Sequence, residues 1–422
     1  MRIGILSDTH IGRCVPRAIG ELRRMAYRHA FSEAIDVFIR EKISCLIHAG
    51  DVFEKRSMTP RDSVFVKEEL QRLVDSIREE GGEVMIYAVR GNHDGSMESS
   101  ALDYIKHPLA KYLKVIGDDT LRGKGEAQVY DGLRVMGVSY HPYIARKFKK
   151  LKPIIRKNFS MANGMNVLIL HNFIEGYHQI PPGVPKHNVL DISDLKGLGA
   201  DLIVVGHYHE KMEPMRKDGM TLISPGSTEA IDLSDEGPHG VYILDGRSIR
   251  FVPIKPLHEI RNMKVVSMEE VKPASWFIGE ALKGAQSYAS TLRLTGREGV
   301  LRLVLSGLTD GDPHTIDRSL ALRLAELRGS FPELLHVELV NRAQNVHRRV
   351  SFPPIGGGLE FAYEVVKSLG DPAREAVRII EEVYNALDER ASQRTGLLTS
   401  SDRAPFLRRW VKVLERMEVR EG

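Results

Sequence analysis

Short, unbroken runs of apolar residues recur through the first half of the chain, at residues 3–6, 45–47, 84–89, 167–170 and 202–205, and polar residues follow each at once. Continuous rather than alternating runs predict strands buried on both faces, as in a sheet covered by helices. Between them, residues 18–41 and 60–80 predict amphipathic helices. In the second of these Val64, Val66, Leu70, Leu73, Val74 and Ile77 recur at helical spacing, and Pro60 suits a first turn. After residue 262 the pattern changes. Residues 300–306 and 334–340 read as strands around a helix at 315–328, a small α/β unit without a catalytic constellation. Pro353-Pro354-Ile355-Gly356-Gly357-Gly358 reads as a linker. Beyond it, one helix carries a stripe of Ala376, Val377, Ile380, Val383, Tyr384 and Leu387. A second carries Phe406, Leu407, Trp410, Leu414 and Met417. Two helices cannot bury both stripes by themselves, so the pair resembles a helix-in-groove partner motif, with packing on the chain's own body as the alternative. The implied domains are 1–262, 263–348, a linker at 349–362, and 363–422.

The polar residues after the apolar runs are Asp8-Thr9-His10, Gly50-Asp51, Gly91-Asn92-His93-Asp94, His171-Asn172 and Gly206-His207-Tyr208-His209. In an α/β sheet, ligands bind beyond the carboxyl ends of the strands. Singly, each motif is ordinary: a Gly-Asp pair is usually a turn, and Asp-X-His is often a helix cap. All five at strand ends, in one order, point to a metal centre. Asp8, His10, Asp51, Asn92, His171, His207 and His209 offer seven oxygen and nitrogen donors, whereas one tetrahedral ion needs about four. With one carboxylate shared, they supply two ions and leave positions open for water and substrate. Paired ions roughly 3.5–4 Å apart serve in-line displacement at phosphorus. A donor set without thiolate suits Mn²⁺, Fe²⁺ or Zn²⁺, and two Mn²⁺ per chain are expected.

Composition adds little. At 422 residues with 42% hydrophobic, two or three domains with real cores are expected. Sixty basic against 56 acidic residues nearly balance, so bulk charge does not demonstrate nucleic-acid binding. Local charge is more telling: residues 146–157 hold seven lysines and arginines and no acid, enough to neutralise several phosphates. A solvated helix face is the competing account, and the same ambiguity covers His141-Pro142-Tyr143. His48, inside a strand, reads as a core histidine. Two cysteines without CxxC spacing make a disulfide framework unexpected, and no apolar leader or membrane-length run occurs, so a cytoplasmic protein is expected, nucleoid-associated if prokaryotic.

The order D-x-H, G-D, G-N-H-D, H, G-H-x-H over roughly residues 1–255 resembles the calcineurin-like metallophosphoesterase superfamily. The resemblance implies an α/β fold, a double-layered β-sandwich flanked by helices. Asp51 would bridge the ions. Asp8, His10 and His209 would complete one, and Asn92, His171 and His207 the other. His93 would sit by the scissile phosphate and assist the leaving oxygen, with Asp94 orienting its imidazole. Gly50-Asp51-Val52-Phe53-Glu54-Lys55-Arg56 departs from the protein-phosphatase pattern at this motif. Together with Pro60 and the long C-terminal part, it resembles the double-strand-break-repair nucleases of the SbcD or meiotic-recombination-eleven type. That likeness implies 3′-to-5′ exonuclease and single-strand endonuclease activity, and a capping domain over the DNA. It also implies a homodimer through the 60–80 helix and the segment around 99–113. An SMC-like coiled-coil ABC ATPase (the Rad-fifty or SbcC type) would dock on the C-terminal helices through Phe406, Leu407, Trp410 and Leu414. DNA contacts are expected at Arg13, Lys55, Arg56, Arg146, Lys147, Lys149 and Lys150. Several such nucleases carry a histidine where this chain has Glu54, an acid expected beside the phosphate path. The rival readings are a phosphomonoesterase or nucleotide hydrolase, and a non-catalytic subunit, against which the seven intact donors argue.

Overall fold

The computed structural model describes residues 1–95, 100–107, 109–160, 164–346, 379, 382 and 405–409. Strands β1 (Arg2–Leu6), β2 (Cys45–His48), β3 (Met85–Ala88) and β4 (Leu113–Val115) run parallel. A second sheet takes β5 (Gln128–Tyr130), β6 (Leu133–Val138) and β7 (Met165–His171), while β8 (Phe173–Glu175) and β9 (Val189–Asp191) pair separately. β10 (Leu202–Gly206), β11 (Met215–Lys217) and β12 (Met220–Ile223) complete the second sheet; β13 (Gly240–Asp245) and β14 (Ser248–Pro253) return antiparallel beside β1. The two six-stranded sheets read β14-β13-β1-β2-β3-β4 and β11-β12-β10-β7-β6-β5.

The unbroken apolar runs follow from burial on two sides. Ile3 and Ile5 of β1 and Cys45 and Ile47 of β2 meet Val167 and Ile169 of β7 and Leu202 and Val204 of β10 between the sheets. The alternate residues face outward, as the strand period of two requires. Leu6, Leu46 and Ile86 meet α1 (Gly20–Arg40) and α2 (Pro60–Glu79). Two short helices follow, α3 (Ala101–Lys106) and α4 (Asp118–Leu121), and then α5 (Ile144–Phe159), which packs on Leu168, Leu170, Ile203 and Val205. The fold is the expected helix-flanked double-layered sandwich. Helix α2 opens with Pro60, and Thr59 Oγ1 accepts from Asp62 N at 3.2 Å. Its buried stripe is Val66, Leu70, Leu73, Val74 and Ile77. Val64, expected on that stripe, is instead 46% exposed, being rotated by two residues, about 200°, from Val66.

A third sheet is parallel throughout: β15 (Glu259–Lys272), β16 (Gly299–Thr309) and β17 (Leu334–Asn345), joined by α6 (Ala274–Thr295) and α7 (Pro313–Ser330). The sequence signalled two strands and one helix here. Helix α6 escaped notice because much of its buried face is alanine: Ala281, Ala285 and Ala289 beside Phe277, Tyr288 and Leu292. Strand β15 starts at Glu259, ahead of the boundary expected at 263. Val300 packs with Ile19 and Leu233, and Asn262 Nδ2 donates to the Leu233 carbonyl at 2.9 Å, tying this sheet to the sandwich.

Residues Met1–Val346 form one compact unit and His347–Gly422 another. The linker, Trp410, Leu414 and most of the C-terminal helix pair lie outside the described residues. In the second unit residues 405–409 are helical, Leu407 is 60% exposed, Phe406 is half-buried, and Arg409 pairs with Glu382 at 2.5 Å. Among the described residues, no helix is long and apolar enough to cross a membrane.

Candidate metal centre

The loops that follow β1, β2 and β3 in one sheet and β7 and β10 in the other converge at one rim. Asp8 N donates to the Gly50 carbonyl (3.0 Å), His10 N to Asp51 O (3.1 Å) and Ile11 N to Val52 O (3.0 Å). The first two loops therefore run side by side, locked by backbone bonds before any side chain contributes. Asp8, His10, Asp51 and His207 have φ of 51°, 41°, 55° and 83°, a left-handed backbone that costs about 1–3 kcal/mol per residue and clusters at functional sites. Small residues let the loops approach. A Cβ on Gly91 would lie 2.0 Å from Asp51 Oδ1, and one on Gly206 would lie 2.1 Å from the Ala49 carbonyl.

Two groups of donors result. Asp8, His10 and His209 each offer an atom within 4.8 Å of the others, and so do Asp51, His171 and His207. Asp51 Oδ2 lies 3.1 Å from His171 Nε2 and 3.9 Å from His10 Nε2, so it faces both groups. Asn92 joins the second, its Oδ1 3.3 Å from His171 Nε2. His93 comes within the same reach of His10 and Asp51, with ring centroids 4.8 Å apart for the two histidines. All seven expected donors are thus brought together.

The donors' surroundings suit cations. Among the described residues, Asp51 Oδ2 and both ring nitrogens of His10 are buried without a hydrogen-bond partner. Leaving such atoms unmet costs several kcal/mol, and metal coordination is one of the few ways to satisfy them. Burial, reinforced by His171 on one and His10 on the other, lowers His207 and His209 to about 3, so both are neutral imidazoles with a lone pair to give. Burial raises Asp8 to about 6, and Asp51 adds to that. For His171, burial is outweighed by Asp51 and the value rises to about 9; the same pair holds Asp51 below the usual carboxylate range. His10 is also raised, because Glu54, Asp51 and Asp8 together exceed the cost of burial. A bound divalent pair would take over the role that protonated His10 and His171 play beside Asp8 and Asp51.

Three expectations change. Asp94 does not orient His93. Its carboxylate accepts from Gly91 N (3.0 Å), Phe53 N (3.0 Å) and Val52 N (3.3 Å), fastening two loops together. The His93 imidazole is set by the Glu54 carbonyl, 2.7 Å from Nδ1. Nor is Glu54 a bare acid on a phosphate path. Its side chain is 12% exposed, with Oε1 2.9 Å from Arg13 Nη1 and Oε2 3.1 Å from His10 Nδ1. Arg13 is correspondingly occupied, since its Nε also donates to the Ile231 carbonyl at 2.8 Å.

The other expected DNA contacts are distributed unevenly. Lys55 and Arg56 are exposed on the loop after Asp51. Lys147 lines a cleft of about 580 Å³ that starts at Asn92 and Gly91 and includes Arg122, Tyr140 and His141. The Asp118 carboxylate in this cleft is paired with Arg90 at 2.8 Å. From there Arg146, Lys149 and Lys150 lie exposed along α5, without an ion-pair partner among the described residues. Lys152 is paired with Asp194 at 2.8 Å. A second cleft, about 670 Å³, starts at His209 and mixes Lys211, Lys264 and Arg302 with Asp232, Asp235 and Glu236. His48 is buried, with Nε2 3.0 Å from Thr9 Oγ1, as a core histidine.

Some site residues were not singled out from the sequence. His207 lies against Phe173 (4.3 Å) and Tyr140 (5.4 Å between centroids), and His171 Nδ1 against the Ala49 carbonyl at 2.6 Å. Tyr140 had a readable signal. The apolar run of β6 is followed by Ser139-Tyr140-His141, the same strand-then-polar pattern as the five motifs.

A family model described as calcineurin-like phosphoesterase matches residues 1–211. Among curated proteins, the chain is similar to the DNA double-strand break repair protein Mre11 of Sulfolobus acidocaldarius, at 26% identity over 234 residues, 54% of this chain and 55% of that one. The protein of the same name from Methanosarcina mazei is 22% identical over 249 residues, 58% of this chain and 36% of that one. The uncharacterized metallophosphoesterase YhaO of Bacillus subtilis is 23% identical over 334 residues, covering 77% and 76%. The match to the two Mre11 proteins spans 36% and 55% of their length.

Proposed function

We propose a function from one premise: this chain belongs to the calcineurin-like phosphoesterase family. Our reading is a Mn²⁺-dependent DNA nuclease with 3′-to-5′ exonuclease and single-strand endonuclease activity. The observation that carries it is the basic cleft that opens from the donor cluster at Asn92 and Lys147 and continues as the uncovered cations of α5. Arg146, Lys147, Lys149 and Lys150 follow one another over about 6 Å of helix axis, beyond the cleft that already holds Arg122, and such a run of cations suits the successive phosphates of a polynucleotide. The likeness to proteins named for double-strand break repair points the same way.

In this reading Asp8, His10 and His209 would hold one ion, Asn92, His171 and His207 the other, and Asp51 would serve both. The ions, when bound, would supply Lewis-acid stabilisation of charge on the attacked phosphate and a nucleophile at neutral pH. The chain's own residues do the rest. Asp8 is fixed by Ser7 Oγ (2.5 Å) and His207 N (3.1 Å), so its carboxylate cannot swing out. His93 N donates to Asp51 Oδ1 at 2.8 Å and its Nδ1 to the Glu54 carbonyl. That leaves Nε2 to deliver a proton to the departing 3′-oxygen. Lys147 and Arg122 hold the neighbouring phosphates.

From the motif resemblance given above, the proposal extends to a homodimer through α2 and the segment around 99–113, and to an SMC-like coiled-coil ABC ATPase as the partner of the C-terminal helices; co-purification with such an ATPase, lost in Leu407→Asp, tests that docking. Cleavage of a 5′-labelled duplex with Mn²⁺, beside an aryl monophosphate, tests the activity. A ladder shortening from the 3′ end, abolished by EDTA, is expected. Monophosphate turnover with intact DNA would replace the nuclease reading by a phosphomonoesterase.

A further inference from the structure

Glu54 is explained neither by the donor set nor by the core. A carboxylate this buried needs partners. Arg13 Nη1 meets Oε1 at 2.9 Å, and Arg13 is itself pinned through Nε to the Ile231 carbonyl at 2.8 Å. The second oxygen, Oε2, lies 3.1 Å from His10 Nδ1, within ion-pair distance though outside hydrogen-bond geometry. Glu54 is placed there by its backbone. Its N–H donates to Ile11 O at 3.1 Å, beside the Ile11–Phe53 bridge that joins the loops carrying His10 and Asp51. On the far side of the same ring, His10 Nε2 lies 3.9 Å from Asp8 Oδ1 and 3.9 Å from Asp51 Oδ2.

We propose that Glu54 is a positioning residue for the His10 half of the metal cluster: its carboxylate, anchored by Arg13, accepts a hydrogen bond from Nδ1–H of His10 and so keeps the Nε2 lone pair available to an ion. The proposal rests on the two-metal reading above. Imidazoles that ligate metals commonly give their other N–H to a carboxylate or carbonyl, which fixes the tautomer and raises the basicity of the ligating nitrogen. His171 uses the neutral version of this device, with the Ala49 carbonyl 2.6 Å from Nδ1. A charged acceptor makes a stronger bond than a neutral one, so Glu54 gives the His10 half the more basic imidazole. The competing role is a plain ion pair that ties the Ile231 loop to the rim. Such a pair would affect folding, not the affinity of one ion.

The test uses the full chain, stripped with EDTA and titrated calorimetrically with Mn²⁺, as wild type, Glu54→Ala and Glu54→Gln. Wild type should take up two ions. Glu54→Ala should bind one of them about 10–100-fold more weakly and the other unchanged, the range measured for such supporting groups. Glu54→Gln, whose amide oxygen still accepts from Nδ1, should fall between; both variants should lower the melting temperature of the stripped protein through the lost Arg13 pair, so the loss confined to one ion is the readout of positioning. Two unchanged affinities in Glu54→Ala would overturn the proposal. So would equal loss at both sites with a lowered melting temperature. A wild type that binds no divalent ion would overturn the two-metal reading itself, an outcome visible before any variant is made.

Discussion

In one half of the donor cluster, His10 lies beside a carboxylate whose charge is met by Arg13; in the other, His171 is backed by a backbone carbonyl and His207 is wedged between Phe173 and Tyr140. The first half is held by charge reaching in from Arg13; the second adds packing and a neutral dipole to the Asp51–His171 pair. Asp51 faces both halves. A paired site thus need not be symmetric in what supports it. Charge networks respond to substitution and to salt, whereas packed rings respond to volume and to the protonation of buried imidazoles.

The largest expected effect breaks the comparison altogether. Asp51→Asn removes the one carboxylate common to both halves. Metal content should fall to near zero, and cleavage should drop by more than the ~100-fold that a merely supporting group costs; retention of two ions by elemental analysis would show that the halves are independent. His93→Gln should leave both ions in place yet slow DNA cleavage by about 10²–10⁴-fold, the usual worth of a proton donor. Equal metal content with unchanged turnover would remove His93 from the mechanism. A triple reversal of Arg146, Lys149 and Lys150 to glutamate should spare the metals and weaken DNA binding. The slope of log K against log salt should lose roughly 0.7–0.9 for each contact abolished.

The smallest effect probes the packed half by acid. Burial lowers His178 to about 3, and the ring stacks on Tyr208 at 4.7 Å. Its unfolded value is about 6.5. The unfolded chain therefore gains a proton as pH falls through 6.5, while the folded chain does not until about 3. Stability conferred by the neutral ring is present above that window and lost progressively within it, on the order of 1–3 kcal/mol by pH 4.5. Melting of the EDTA-stripped protein should drop by several degrees over this range, and His178→Gln should lessen the slope by up to one proton. An unchanged slope would mean that the packed half does not depend on a neutral ring.

Much of the site was legible because its residues follow apolar runs directly in sequence. Asp8 and His10 after β1, Asp51 after β2, Asn92 after β3, His171 at the end of β7 and His207 and His209 after β10 needed only the rule that parallel strands deliver their carboxyl ends to one rim. Helices α1 and α2 were legible from their period. Helix α6 was not, because its buried alanines carry little hydrophobic signal. Val64 was misplaced because an apolar side chain does not by itself say which face it occupies.

The sequence by itself determined which donor residues reach one rim and that they meet, since residue type and strand periodicity are local properties. Only the tertiary structure decided who supports whom. The exchange of Asp94 for the Glu54 carbonyl behind His93, and the turning of Glu54 towards Arg13 and His10, depend on contacts between loops about 40 residues apart. So do the left-handed backbones of Asp8, His10, Asp51 and His207, which no residue type announces. The physical reason is that a buried polar atom takes whatever partner the packing brings within about 3 Å, and chain order does not specify that partner.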